Sequence, residues 1–486
     1  MPRFTPRRAA TVAGCAAVAL AGTSVAGCGS SDEPSAPPDS TNVVVVMTDD
    51  QEAASVRFMP YVSRRLAGQG TTFDDALVTT PLCCPSRATF LTGEYSHNHG
   101  VLGNRPPEGG YPALNSADTL AVWLQDAGYR TAHIGRYLNN YAAPQHGGDP
   151  REVPPGWDEW RVPVEDTEFR MFDNTLNENG ELKRYGHRPR DYQTDLVGRK
   201  AVRFARRSAR AQRPFFLSVA TLAPHDEGVL EDTGAARNPR PAPRHRGRFS
   251  DERLPRPQAF NERAIGDKPG TTRDTPRLRP AQVREVTRLY RSRLESLLAV
   301  DEMVADLVHA LRREGSLENT LFVFTSDNGY LLGEHRLHGK EAPYEEAVRV
   351  PLVVRGPGFP AGAIRSQPVA NVDLAPTILD VAGVRPPREL DGASLLPIAR
   401  DSSAGSGRTI LLELLTGNEF AGVRTRRFAY AERRHGAIEL YDLRRDPDEL
   451  RNVADDRRYS RVRTRLAERL DSLRDCAGRD CRPEAG

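Results

Sequence analysis

The sequence predicts an α/β protein with a mostly parallel central sheet flanked by helices, and two observations carry that expectation. Short apolar runs recur along the chain, each followed by polar or glycine-rich residues, with helical stretches between them. The runs are continuously apolar rather than alternating, the pattern of strands buried on both faces.

The first run is Asn42–Met47, with four consecutive valines, and similar runs are Arg130–Ile134, Phe215–Ala220, Leu321–Thr325 and Val350–Val354. Ala281–Glu314 carries an apolar stripe through Val286, Leu289, Leu297, Val304 and Leu311. Pro280 opens it and Gly315 closes it, as expected of a long helix. Gly234–Arg279 is rich in Pro and Arg without periodicity and reads as a surface excursion lining an entrance. Its arginines, Arg237, Arg240, Arg244, Arg246 and Arg248, suit an anionic ligand. Past Ala404 the texture changes. Arg408–Leu415, Phe420–Tyr430 and Ile438–Asp442 read as short strands before a helix at Arg458–Arg474. Three parts are expected: a leader and tether over 1–40, a main domain over 41–403, and a small α+β domain over 404–486.

In the leader, Arg3, Arg7 and Arg8 precede an Ala-rich stretch that ends in Val25-Ala26-Gly27-Cys28. This resembles a bacterial lipobox, which implies an exported lipoprotein held on the outer face of the cell membrane by lipid on Cys28. Gly29–Ser40 then serves as a tether. The net charge of +3 gives no case for a nucleic-acid partner. Cys476 and Cys481 are close enough to form a local disulfide in an exported chain. Cys83 and Cys84 are left, and no second Cys or His pair has zinc-ligand spacing.

The polar residues that follow the runs are the informative ones. Met47 leads into Thr48-Asp49-Asp50, and Phe324 into Thr325-Ser326-Asp327-Asn328. Open α/β sheets bind ligands at the carboxyl ends of their strands. If these two strands are neighbours, three carboxylates and an amide converge there. A hard divalent cation would relieve their repulsion, Ca²⁺ or Mg²⁺ rather than zinc. Arg136 and His225 close two further runs, and Lys340, in a chain with only four lysines, can reach the same rim.

The segment Pro81-Leu82-Cys83-Cys84-Pro85-Ser86-Arg87, continuing to Leu91-Thr92-Gly93, places Cys83 just before a helix N-terminus, where an anion is favoured. On chemistry alone this is a reactive thiol beside an anion site. The segment resembles the signature of the formylglycine-dependent sulfatases, and the resemblance runs from about Thr41 to the Cys476–Cys481 region. Cys83-Cys84, Tyr95-Ser96-His97-Asn98-His99 and Gly135-Arg136-Tyr137-Leu138-Asn139 look most like the N-acetylglucosamine-6-sulfatase branch.

That resemblance implies an alkaline-phosphatase-like core with a small C-terminal domain, and hydrolysis of sulfate esters such as a glucosamine 6-sulfate unit. Cys83 would be converted to 3-oxoalanine (formylglycine) by a maturation enzyme. Ca²⁺ would be held by Asp49, Asp50, Asp327, Asn328 and the modified Cys83. Arg87 would orient the aldehyde hydrate, Arg136 and Lys340 would offset developing charge, and His225 would give a proton to the leaving alcohol. The chain departs from the common Gly-Lys-x-His pattern at Arg136 and Leu138, so His97 or His99 is expected to supply the missing imidazole. The alternatives are a formylglycine-dependent phosphonate or phosphate monoester hydrolase, a non-catalytic lipoprotein that binds sulfated glycans, and a plain thiol enzyme.

Overall fold

Val43, Val44, Val45 and Val46 are each fully buried, which requires a strand covered on both faces. The computed structural model describes residues 40–164, 167–228 and 238–482. Cys15, Cys28, the rest of the predicted leader and Arg237 lie outside the described residues.

The valines belong to β1 (Asn42–Thr48). It is a middle strand of a ten-stranded sheet with β2 (Thr71–Phe73), β3 (Arg130–Gly135), β4 (Glu159–Pro163), β5 (Thr175–Glu178), β6 (Glu181–Arg184), β7 (Phe215–Ala220), β8 (Thr320–Ser326), β9 (Leu352–Arg355) and β10 (Ala363–Arg365). The order is β10-β2-β9-β8-β1-β7-β3-β4-β5-β6. The central run β8-β1-β7-β3-β4 is parallel throughout. The run at Val350–Val354 does form a strand, β9, but one antiparallel to β8 and β2. Being apolar on both faces reports burial, and burial is indifferent to strand direction.

Alternate residues of β1 feed two separate cores. Val43, Val45 and Met47 join Ala88 and Leu91 of α1 (Cys83–Thr92). Val44 and Val46 face α2 (Gln193–Arg210) and α3 (Pro280–Arg313), where Phe204, Leu297, Val304 and Leu307 pack. Each fully buried valine contributes about 1.5–3 kcal/mol, so this strand anchors both layers. A second, four-stranded antiparallel sheet comprises β11 (Thr409–Leu414), β12 (Phe420–Thr425), β13 (Phe428–Arg433) and β14 (Ile438–Asp442). The apolar Phe420–Tyr430 stretch is thus two strands joined by a tight turn at Arg426-Arg427. The helix α4 (Ser460–Leu473) lays Leu466, Leu470 and Leu473 against this sheet, and Cys476 and Cys481 form the expected disulfide nearby.

Candidate active site

β1 and β8 are hydrogen-bonded neighbours in parallel, with Thr48 level with Ser326. Asp49-Asp50 and Asp327-Asn328 therefore leave the sheet side by side. The Asp50 N–H donates to Asp327 Oδ1 at 3.0 Å, and the Gln51 N–H to Ser326 Oγ at 2.9 Å. Asp50 holds φ at +66°, a left-handed conformation uncommon outside glycine. Successive strand residues face opposite ways, so this break lets both aspartates serve one site. All three carboxylates are at most 1 % exposed.

Cys83 is the first residue of α1 and 1 % exposed. Its Sγ lies 3.7 Å from Asp49 Oδ1 and 4.0 Å from Asp50 Oδ1, and Lys340 Nζ approaches it to 2.8 Å while also pairing with Asp50. One turn along α1, Arg87 donates to Asp327 Oδ2 at 2.9 Å, to Asp49 Oδ2 at 3.0 Å and to the Arg136 carbonyl at 3.1 Å. Arg136 itself pairs with Asp49, donates to Asn139 Oδ1 at 2.6 Å and stacks over Phe169. His225, which follows β7, directs Nε2 to within 3.5 Å of Asp50 Oδ2 while Nδ1 meets the Asp226 carbonyl at 2.8 Å. The strand ends thus bring together Cys83, Arg87, Arg136, His225, Lys340 and the four predicted cation ligands.

Charge balance sets the protonation states. Burial alone would raise Asp50, but Lys340 and His225 outweigh it and hold the carboxyl well below the usual carboxylate range. Burial acts against the Lys340 ammonium too, yet Asp50 raises it well above its ordinary value, so it stays charged. Burial drives the Cys83 thiol well up despite Lys340, so the unmodified residue is a poor thiolate source at neutral pH. Burial lowers His225, partly offset by Asp50. Cys84, pushed up to about 12 by burial, accepts the Asn139 N–H at 3.1 Å and is a small structural side chain.

Gly135 sets the position of Arg136. Its φ is +112°, and a Cβ there would meet the Ala220 carbonyl oxygen at 1.8 Å. Gly135→Ala is expected to lower the unfolding free energy by at least about 1–3 kcal/mol, read by urea titration, and to reduce turnover because Arg136 moves with the strand end.

His97 and His99 do not supply the missing imidazole. His97 donates from Nδ1 to Glu413 at 3.0 Å and from Nε2 to the Cys476 carbonyl at 2.9 Å, tying α1's exit to the second sheet. His99 shares Nε2 with Thr89 Oγ1 at 3.1 Å and accepts the Val101 N–H at Nδ1. Thr89 lies six residues beyond Cys83, about 9 Å along the helix. Both rings are saturated by local partners. Burial takes His99 down to about 3. For His97 burial opposes protonation, but Glu413 outweighs it and raises the group to about 9. This pair's stabilisation is therefore complete below pH about 6.5, the unfolded value, and is lost as pH rises through about 9. His97→Gln is expected to flatten that part of the stability–pH curve, measured as Tm from pH 6 to 10.

Several contributors escaped the sequence. Arg293 of α3, 1 % exposed, donates to the Asp50 carbonyl and to Glu52 Oε2 at 2.8 Å. Nothing distinguishes it in sequence from the chain's many other arginines. His133 of β3 donates from Nε2 to the Arg136 carbonyl at 2.9 Å and accepts from Ser218 Oγ at Nδ1, bracing the carbonyl that Arg87 also uses. In the predicted entrance segment, Arg240 is paired with Glu227, and Arg244 with Asp195 and Glu302. Those two are already neutralised locally, and do not form a free cationic rim.

Residues 41–384 match a family described as Sulfatase, and residues 333–476 one described as N-sulphoglucosamine sulphohydrolase, C-terminal. Human N-acetylglucosamine-6-sulfatase is 32% identical over 91% of this chain and 86% of its own length. An extracellular sulfatase Sulf-1 homologue of Caenorhabditis elegans is 39% identical over 74% of this chain, which spans about half (49%) of that relative. The corresponding Drosophila melanogaster protein, 35% identical, is spanned over 31% of its length. Among solved structures, one in complex with its substrate D-glucosamine-2-N,6-O-disulfate superposes with TM-score 0.73 at 26% identity, over 89% of this chain and 97% of that one. The fold is the alkaline-phosphatase-like one. These relatives also overturn the location expected from the leader: the worm and fly proteins are named as extracellular sulfatases, and neither they nor the human protein as a bacterial lipoprotein anchored through a residue such as Cys28.

Proposed function

The chain belongs to the sulfatase family, on its N-acetylglucosamine-6-sulfatase branch, and from that premise we propose that it hydrolyses sulfate esters of glucosamine-type sugars at the Cys83 cluster. The observation that carries this reading is the convergence of Cys83, three buried carboxylates and Lys340 at the ends of β1 and β8. The sugar class is supported by the human relative's name and by the disulfated glucosamine bound in the structural relative.

The residues fit a resident Ca²⁺. Ligand atoms of Asp49, Asp50, Cys83 and His225 lie within 4.8 Å of one another, and Asn328 Oδ1 is buried with no hydrogen-bond partner. We assign Asp49, Asp50, Asp327 and Asn328 as the ligands, a hard all-oxygen set, with Cys83 converted to formylglycine by a maturation enzyme. When present, Ca²⁺ offsets the carboxylate charge and polarises a sulfate oxygen, and the formylglycine hydrate supplies an attacking hydroxyl.

The chain's own residues do the rest. Arg87 bridges Asp49 and Asp327, offsetting their mutual repulsion, and fixes both relative to α1. Lys340, kept charged by Asp50, stands against the reacting side chain and offsets oxyanion charge. Arg136 adds a second fixed cation that cannot release a proton near neutral pH. His225 keeps Nδ1 on the Asp226 carbonyl, which leaves Nε2 facing the cluster to serve the leaving alcohol. Leu138 is 1 % exposed within the aromatic core, so this position contributes packing, not proton transfer.

The test is mass spectrometry of the Cys83 peptide from active protein, with glucosamine 6-sulfate and a phosphonate monoester assayed in parallel. An aldehyde at position 83 and preferential sulfate release are expected. Full activity with an intact thiol, or preference for the phosphonate, would overturn the assignment.

A further inference from the structure

A second group of metal-ligating side chains stands apart from the Cys83 cluster. A ring nitrogen of His335 and carboxylate oxygens of Glu346 and Glu449 all lie within 4.8 Å of one another. His335 is fully buried and Glu449 is 1 % exposed. Glu449 comes from a segment more remote in sequence than the other two. His335 sits between the short strands Leu331–Leu332 and His338–Gly339, Glu346 in the helical turn Glu345–Val348, and Glu449 just past β14.

The hydrogen bonds around this group are incomplete in one direction only. His335 Nδ1 meets Glu262 Oε2 at 2.8 Å, and the ring packs on Tyr344 with centroids 4.2 Å apart. Its Nε2 is buried with no partner, and so is Glu346 Oε2. Glu449 accepts the Glu345 N–H at 2.9 Å with one oxygen. A buried polar atom left unpaired costs about 1–3 kcal/mol, and two in one cluster call for a shared partner. A carboxylate behind an imidazole is also the usual arrangement by which a metal-ligating histidine is oriented, one nitrogen on the carboxylate and the other free for the ion.

We propose that His335, Glu346 and Glu449 bind a divalent transition-metal ion, with Glu262 orienting the imidazole. One nitrogen and two carboxylates suit Zn²⁺ better than the all-oxygen preference of Ca²⁺. Tetrahedral ligands about 2.1 Å from Zn²⁺ stand about 3.4 Å apart, so small carboxylate rotations close the group. The ion would clamp the ribbon that carries Lys340 to the Glu345–Val348 turn and to the segment after β14.

The experiment reads metal, not turnover, so its result is independent of the sulfatase assignment. Full-length protein is dialysed against ZnCl₂, washed, assayed for bound zinc, and crystallised for anomalous diffraction at the zinc edge. One Zn²⁺ per chain and a peak between His335, Glu346 and Glu449 are expected. His335→Gln and Glu346→Gln should each lose that zinc, whereas Asp49→Asn should keep it. No peak there in the wild-type crystal, or zinc found only at the Asp49 cluster, overturns the proposal. The wild-type map decides even if a variant fails to fold.

Discussion

Replacing Cys83 by Ala is expected to lower kcat/KM on a glucosamine 6-sulfate ester by on the order of 10⁴-fold or more, with the thermal midpoint close to wild type. The expectation of an intact fold comes from the ion pairs. Arg87 stays on Asp49 and Asp327, and Lys340 on Asp50, whether or not a sulfur is present. The expectation of lost turnover comes from the proposed role of Cys83: the groups that contact it are already committed to one another, Asp49 to Arg87 and Asp50 to Lys340. Cys84→Ala is the control. Its sulfur faces the Asn139 amide, so activity should stay within several-fold of wild type. Retention of a tenth of the activity in Cys83→Ala would remove the nucleophile assignment.

The second large effect is on stability. Arg87→Met should destabilise the protein by about 3–5 kcal/mol, measured by urea unfolding at pH 7 in the presence of a chelator. Arg87 is 4 % exposed and satisfies two carboxylates and a carbonyl at once. Asp49 keeps Arg136, so the loss falls mainly on Asp327, left with a backbone N–H as its remaining bond. Added Ca²⁺ should recover part of the loss by replacing the missing counter-charge. A change below about 1 kcal/mol, the size of an exposed pair, would show that the carboxylates do not depend on Arg87.

Four of the five parallel strands, β1, β3, β7 and β8, were legible because they are short apolar runs with both faces covered; β4, Glu-Trp-Arg-Val-Pro, was not, because charged residues interrupt it. Phe215–Ala220 forms β7 over those same residues, and the Ala281–Glu314 helix is displaced by one residue. The outer strands were not, because they carry no such signal. β5 and β6 read Thr-Leu-Asn-Glu and Glu-Leu-Lys-Arg and form a hairpin at the sheet edge, with β6 largely exposed. The site was legible wherever a polar residue directly follows a buried strand, as with Asp49, Asp327 and Arg136, or closes the loop just after one, as with His225. It was illegible where a residue arrives from the middle of an element. Arg293 and His133 reach the cluster through helix and strand packing, and His97 is drawn away by Glu413, 316 positions along the chain.

That long-range closure gives the Cys83 pocket a clock. Folded, the residue is 1 % exposed behind Asp49, Asp50 and Lys340, so the proposed maturation enzyme would have to meet it before the fold closes. Lys340 lies 257 positions downstream, and at a synthesis rate of 5–20 residues per second it emerges about 13–50 s after Cys83. On the formylglycine reading proposed above, the interval before Lys340 can close over Cys83 is at least of that order, and conversion belongs to the chain before it folds. A polypeptide refolded from denaturant with its thiol intact should reach the same fold and remain permanently silent.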